Sequence, residues 1–560
     1  MKKQWWHGKV AYQIYPKSFQ DTNGDGIGDL RGIINRLDYL KDLGIDIIWI
    51  SPIYQSPFVD QGYDISDYYK IAKEFGTMEE LEELLSEAKK RGISIIMDLV
   101  INHCSDQHEW FQKALANPEG EYGKYFYFVK GKNGKEPNNW RSYFGGSVWE
   151  PVKGTDYYYL HFFAKEQPDL NWTNKELRQK LYDMINWWLE KGLAGFRIDA
   201  IMNIKKDLDF PSYEPDSEDG TVHVTKMVES VEGVEEYLKE LKEQTFKKYD
   251  AFTVGEVFNM KKEQLGTFIG EEGVFSTIFD FSQHILTQEE GDWHQERQWT
   301  MDDWKKTIYS AQEEAEGIGL YANILENHDE PRAISRFLPP YAQNKQGAKA
   351  IATVSLLLKG IPFIYQGQEI GMTNCPMDSM DQYDDISTKD QYEEALKAGL
   401  SEEEALKICQ RFSRDNARTP MQWSEEEQAG FTTGKPWLFI NPNYKEINVK
   451  AEEEDADSIL NYYKRLIALR KSKEYIHTFT YGTFLPVYEE KEGIVAYDRA
   501  DEENKIRVLV NLSDHVSQIP LEAPIEKVLL SNGYYEEQKG DYVELKSCEA
   551  IVLKLKQSVQ

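Results

Sequence analysis

From Lys9 to about Gln366, short apolar runs alternate with longer stretches whose apolar residues recur at helical spacing. The runs are Val10–Tyr15, Ile45–Ile50, Ile93–Val100, Gly195–Asp199, Ala251–Gly255, Val274–Phe279, Tyr321–Leu325 and Ile361–Tyr365. Between them lie amphipathic stretches such as Leu30–Leu43, Met78–Arg91, Leu177–Lys191 and Val234–Tyr249. The first kind reads as strand and the second as helix. Eight strands alternating with helices predict an α/β fold, a (β/α)8 TIM barrel rather than an open sheet.

Two connections break the alternation. After the third strand, Cys104 to Asn171 carries no barrel-helix pattern but many Gly, Pro, Asn, Tyr and Trp residues, as expected of a loop-rich insert over the C-terminal face. The irregular stretch Cys375–Trp437, after the eighth strand, reads as a second cover. Past Lys473 the pattern turns to short alternating strands: Thr483–Tyr488, Ile494–Asp498, Ile506–Asn511, Lys527–Ser531 and Tyr542–Leu545. The expected domains are therefore a barrel over 1–103 and 172–477, an inserted subdomain over 104–171, and a C-terminal β-sandwich over 478–560.

Composition narrows the function. A hydrophobic content of 41% belongs to a folded chain, and a formal charge of −31 repels nucleic acid and anionic membranes while permitting neutral ligands. The acidic runs Met78–Glu87, Glu402–Glu404 and Glu452–Asp457 are read as solvated helix faces and loops. Cys104, Cys375, Cys409 and Cys548 have no metal-like spacing, the N-terminus lacks a signal-peptide core, and no apolar stretch reaches the ~18 residues of a membrane span. A cytoplasmic protein with no membrane or nucleic-acid partner is expected.

The chemistry gathers at strand ends, where a barrel of this kind places its active site. The third strand ends in Asp98-Leu-Val-Ile-Asn102-His103, the fourth in Gly195-Phe-Arg197-Ile-Asp199-Ala200, the fifth in Gly255-Glu256 and the seventh in Glu326-Asn327-His328-Asp329. Any one of these could be a capping or surface group, but their joint placement suits the cleavage of an acetal. One carboxylate attacks the anomeric carbon, and a second, kept protonated, donates to the leaving oxygen. Asp199 lies two residues after Arg197 on the same side of a strand, so the guanidinium is expected to keep it ionised. Glu256 has no basic neighbour in sequence, and burial is expected to raise its pKa. His103 and His328 are candidate donors to sugar hydroxyls.

Six segments in this order, DLVINH (98–103), QPDLNW (167–172), GFRID (195–199), GEV (255–257), ENHD (326–329) and GIPFIYQGQE (360–369), resemble the signature regions of the α-amylase family of glycoside hydrolases. The resemblance implies a retaining mechanism with Asp199 as nucleophile, Glu256 as acid/base and Asp329 as transition-state stabiliser. It also implies that Asp98, His103, Arg197 and His328 line the subsite of the cleaved glucose. QPDLNW and the run Arg411–Trp423 are similar to the oligo-1,6-glucosidase and α-glucosidase group. In that group Asp60 and Arg414 match a clamp on the terminal glucose, with Arg418 the alternative to Arg414. Tyr63 matches a stacking aromatic, and Phe163 is a further candidate wall.

The loop Asp21-Thr-Asn23-Gly-Asp25-Gly-Ile27-Gly-Asp29 alternates oxygen ligands with glycines as a calcium loop does, although it is not an EF-hand, since Gly32 stands at the bidentate-Glu position. Related glucosidases imply a structural calcium or magnesium ion there, held by Asp21, Asn23, Asp25, Ile27 and Asp29. Linkage rests on Ala200, directly after the nucleophile. In related enzymes a Val there accompanies α-1,6 preference, so the small residue favours removal of glucose from short α-1,4-linked malto-oligosaccharides. Oligo-1,6-glucosidase is the first alternative, followed by trehalose-6-phosphate hydrolase and a sucrose-active glucosyltransferase or isomerase. A non-catalytic amylase-like binding protein would need a membrane anchor and could dispense with the carboxylates.

Overall fold

All eight apolar runs become strands of one parallel sheet in the computed structural model, which describes residues 1–258, 260–289, 292–533 and 541–557. In chain order the strands are Ala11–Ile14, Ile47–Ile50, Ser94–Leu99, Gly195–Ile198, Phe252–Gly255, Thr277–Ile278, Ala322–Ile324 and Ile361–Tyr365. The first six pair in parallel in chain order, the seventh pairs with the eighth and the eighth with the first, and a single bridge between Phe279 and Ala322 links the sixth to the seventh. The fold is the expected (β/α)8 barrel. Its interior is filled by large side chains from successive strands, including Trp49, Phe252, Phe279 and Phe363. Gly195 opens the fourth strand at φ 152°, where a Cβ would lie 1.8 Å from the Phe252 carbonyl oxygen, so only glycine allows this close pairing just before Arg197.

The helices follow the amphipathic pattern with two breaks. Met78–Lys90 starts on a Thr77/Glu80 capping box and Lys175–Glu190 on the Asn174 side chain. The expected helix over 30–43 is two helices, Leu30–Asn35 and Leu37–Leu43, parted at Arg36, whose guanidinium is drawn onto the Trp423 ring at 3.8 Å. The stretch 234–249 ends as a helix at Gln244 because the Thr245 hydroxyl bonds back to the Leu241 carbonyl, and a 3-10 turn follows.

The insert after the third strand holds a short helix, Glu109–Ala116, and a three-stranded antiparallel sheet. The second cover is more regular than its sequence suggests, with helices Ile386–Lys397 and Glu402–Phe412 packed on each other. The first escapes the hydrophobic pattern because its buried face is Thr388, Gln391 and Ala395 rather than large apolar residues. The C-terminal strands form a five-stranded antiparallel sheet and a separate two-stranded pair, Ser517–Pro520 with Tyr542–Leu545, joined by an apolar layer that includes Ile519, Val543 and Leu553. Residues 534–540 and 558–560 of that expected domain lie outside the described residues. Among the described residues no helix is long and apolar enough to cross a membrane.

Candidate active site

One guanidinium organises the catalytic end of the barrel. Arg197 Nη1 donates to Asp98 Oδ1 at 2.8 Å and to Asp199 Oδ1 at 2.6 Å, and its Nη2 donates to Glu256 Oε1 at 2.5 Å. Three strands thus deliver three carboxylates to a single buried cation. Glu256 therefore has a basic partner that its sequence neighbourhood did not reveal, because the partner comes from the adjacent strand. Its second oxygen, Oε2, accepts the Ala200 N–H at 2.7 Å.

The low pKa of Asp199 expected from Arg197 alone is corrected by this sharing. Burial pushes Asp199 well above the usual carboxylate range, and the charges of Glu256 and Asp98 add to the push against the pull of Arg197. Glu256 is raised too, by burial first and then by Asp329. One positive charge is shared among three neighbouring carboxylates in a low-dielectric pocket, so its pull on each is offset by burial and by the other two. Asp329 behaves oppositely: despite its burial, His328, Arg414 and Arg418 hold it well below the usual range. A permanently anionic Asp329 suits a group that meets developing positive charge.

The histidines are neutral, each lowered to about 3 by burial. Gln13 Nε2 lies 2.8 Å from His328 Nδ1, which assigns the proton to Nε2, from where it reaches the Tyr63 hydroxyl at 2.7 Å and Asp329 Oδ2 at 3.1 Å. The Tyr63 hydroxyl in turn donates to Asp98 Oδ2 at 3.0 Å.

Elsewhere in the same wall, Arg414 Nη2 reaches Asp60 Oδ1 at 3.3 Å and Nη1 reaches Asp329 Oδ1 at 3.1 Å. Arg418 is almost fully buried and bonds the His328 carbonyl and Asp329, so Arg414 is the arginine on the cleft surface. The helix pair of the second cover supplies Asp385, which caps Ile386–Lys397 and accepts Arg414 Nε at 2.8 Å and Nη2 at 2.5 Å.

Together these groups line a cleft of about 260 Å³. Asp60, Tyr63, His103, Phe163, Asp199, Ala200, Glu256, Asp329 and Arg414 all reach it. Asp98, Arg197 and His328, expected on its surface, are fully buried behind it and hold the groups that do. Residues the motifs did not single out complete the wall, among them Tyr143, Phe144, Val228, Glu330 and the stacked pair Phe258 and Phe281, whose centroids lie 4.3 Å apart. Phe258 stands two residues after Glu256, a spacing that strand-end reasoning could have followed one step further.

Two local features were not legible. Ala200 sits at φ 43°, ψ 35°, left-handed for a residue with a Cβ, and this turn aims its N–H at Glu256. Lys206, fully buried, lies between Asp169 at 2.7 Å, Asn102 Oδ1 at 2.9 Å and the Asn203 carbonyl, over the Phe162 ring at 3.9 Å. It ties the insert to the third strand end and to the turn that follows Asp199.

The glycine-rich loop is a chain of side-chain turns. Asp21 accepts the N–H groups of Asn23, Gly24 and Gly26, Asn23 that of Asp25, Asp25 that of Ile27, and Asp29 that of Gly32. Asp21 and Asp29 are buried, and neither has a cationic partner within ion-pair distance among the described residues. In this conformation no three acidic or imidazole side chains among the described residues converge as a metal cluster. A cation would thus also need Asn23 and the Ile27 carbonyl. This donor set of hard oxygens around uncompensated carboxylates fits calcium or magnesium.

Three carboxylates, Asp199, Glu256 and Asp329, at the strand ends of a (β/α)8 barrel and lining one cleft are the groups that a glycoside hydrolase needs. The chain belongs to the α-amylase family: residues 13–479 match the model of the α-amylase catalytic domain. It is 44% identical to an oligo-1,6-glucosidase of Bacillus cereus over 99% of this chain and 100% of the relative. Among solved structures, an isomaltulose synthase of Klebsiella sp. LX3 superposes with a TM-score of 0.94 at 38% identity, covering 99% of this chain and 100% of that one. A trehalulose synthase of Pseudomonas mesoacidophila MX-45 superposes with a TM-score of 0.94 at 39% identity over the same shares. The chain is an α-glucosidase of this family.

Proposed function

We propose that the enzyme is a retaining, exo-acting α-glucosidase that removes single glucose units from the non-reducing end of short α-1,6-linked glucosides. The observation that carries the exo-action is the Asp60–Arg414 pair in the wall of the cleft, beside Asp329. A glucose hydroxyl can be gripped there, and a further sugar beyond it would collide with the pair. Asp199 and Glu256 are bridged by one guanidinium, a closeness that supports nucleophilic attack and a covalent glucosyl intermediate over an interposed water. Glu256 first protonates the leaving oxygen and then takes the proton of the incoming water.

The α-1,6 preference draws support from the oligo-1,6-glucosidases with which the chain aligns end to end, and it displaces the α-1,4 preference expected from Ala200. Ala200 remains the observation in favour of α-1,4 cleavage. The likeness to isomaltulose and trehalulose synthases favours a further reading, sucrose rearrangement, in which a freed sugar and not water attacks the glucosyl enzyme. Initial rates and product analysis on isomaltose, maltose, sucrose and trehalose-6-phosphate decide among these. A specificity constant for maltose above that for isomaltose, or isomeric disaccharides as the main product from sucrose, overturns the α-1,6 hydrolase reading. A structural divalent cation at Asp21–Asp29 and a cytoplasmic location, supported by four buried unpaired cysteines, belong to the same proposal.

A further inference from the structure

Glu330 directly follows Asp329 and lines the cleft, yet no step of glucoside cleavage uses it. One of its carboxylate oxygens is bound by Arg336. That guanidinium is fixed from behind by the Thr287 hydroxyl at 2.8 Å and the His284 carbonyl at 2.6 Å. The Arg336 side chain is 2% exposed and that of Glu330 18%, so the pair presents a carboxylate on the cleft side and hides its counter-charge. The other oxygen, Oε1, accepts no hydrogen bond from a described residue.

The position of this carboxylate along the cleft follows from its neighbours. Thr287 and His284 belong to the segment after the sixth strand, which also carries Phe281. Phe281 stacks on Phe258, two residues beyond Glu256. Because Glu256 must reach the departing oxygen, this wall, on the Glu256 side of the cleft, faces the leaving group. Burial raises the pKa of Glu330 and Arg336 opposes that rise, while the guanidinium orients the carboxylate, whose remaining oxygen is a strong acceptor for sugar hydroxyls.

We propose that Glu330 is a binding residue for the leaving sugar. Its free oxygen accepts hydrogen bonds from hydroxyls of the departing ring, and Arg336 holds it in place. The ligand class is a neutral polyhydroxylated leaving group, and the inference rests on the reading of the enzyme as an α-glucosidase. Once the leaving sugar has gone, Glu330 has no partner in the water-consuming half of the reaction.

The test compares Glu330→Gln and Glu330→Ala with the unaltered enzyme on para-nitrophenyl α-glucoside, whose leaving group has no sugar hydroxyls, and on whichever disaccharide the unaltered enzyme cleaves fastest. Loss of a charged hydrogen bond to the leaving sugar lowers kcat/KM for the disaccharide by about tenfold to a hundredfold and leaves the aryl glucoside within about threefold. An equal fall on both substrates would mean that Glu330 only supports the fold of the site. No fall on either overturns the inference as well. The identity of the fastest disaccharide tests the linkage reading separately, so the two can fail independently.

Discussion

Replacing Lys206 by Met should destabilise the enzyme by about 3–5 kcal/mol, the cost of stranding the partner of a buried ion pair. Lys206 and Asp169 are both fully buried and 2.7 Å apart, so neither charge can be rescued by solvent. Burial raises the pKa of Asp169 and lowers that of Lys206, and each partner's charge opposes that shift in the other. Methionine fills much of the same volume over the Phe162 ring, which limits the cavity penalty and isolates the charge effect. An unfolding entropy of roughly 2.1 cal/mol/K per residue gives a chain of this size about 1.2 kcal/mol/K, so the melting temperature should fall by about 3–4 °C. The double variant Lys206→Met, Asp169→Asn removes both charges and keeps the Phe162 N–H bond to residue 169, now an amide oxygen. It should recover more than half of the loss, the rest reflecting unpaired oxygens on Asn102 and Asn203. Differential scanning calorimetry of the four proteins closes the cycle. A single-variant loss under about 1 kcal/mol, or a double variant no better than the single, would refute the reasoning.

Asp199→Asn should abolish turnover, and residual activity within about tenfold would remove Asp199 as nucleophile. It should also melt higher than the unaltered enzyme at pH 7: a raised folded pKa means stability that is full below the unfolded value near 4 and is lost as pH rises through the folded one. The difference should close as pH falls toward 4. Glu256→Gln should spare reaction with an α-glucosyl fluoride, whose leaving group needs no proton, and equal loss on fluoride and disaccharide would assign Glu256 another role. A chelator should lower the melting temperature more than it lowers activity, and a metal analysis finding no bound divalent ion would remove the cation from the loop. Ala200→Gly should keep turnover, whereas Ala200→Val should lower kcat on both linkages. An unchanged kcat with a shifted ratio of maltose to isomaltose cleavage would restore Ala200 as a pure linkage determinant.

The barrel was legible because its strands are buried on both faces and therefore read as unbroken apolar runs, which need no partner to be recognised. Ile361–Tyr365 matches residue for residue, and the others differ only at their ends, where apolar residues such as Val10 and Ile45 continue beyond the last ladder bond. The helix Ile386–Lys397 was not legible, since its inward face is polar and bonds to its surroundings, as Thr388 does to Asp385 and Ser413. A hydrophobic period cannot register a helix that buries hydroxyls and amides.

The same boundary runs through the active site. Asp199, Glu256 and Asp329 could be read because each stands at the end of an apolar run, but the state of each depends on neighbours from other strands. Arg197 looked like the private partner of Asp199 and is shared by three carboxylates, so the charge balance reverses what the local spacing implied. Ala200 is the sharpest case. Read as a side chain, its small size speaks of room for the leaving sugar. The left-handed backbone gives it a second task, an N–H on Glu256 at 2.7 Å, and that conformation costs an L-residue about 1–2 kcal/mol, and is harder still for a branched one. A valine here therefore bears on the acid/base before it bears on the wall of the cleft. Linkage preference inferred from the size of residue 200 alone conflates the two, and the leaving-group wall of Phe258, Phe281 and Glu330 is where the distinction between α-1,4 and α-1,6 bonds can be made without disturbing the proton donor.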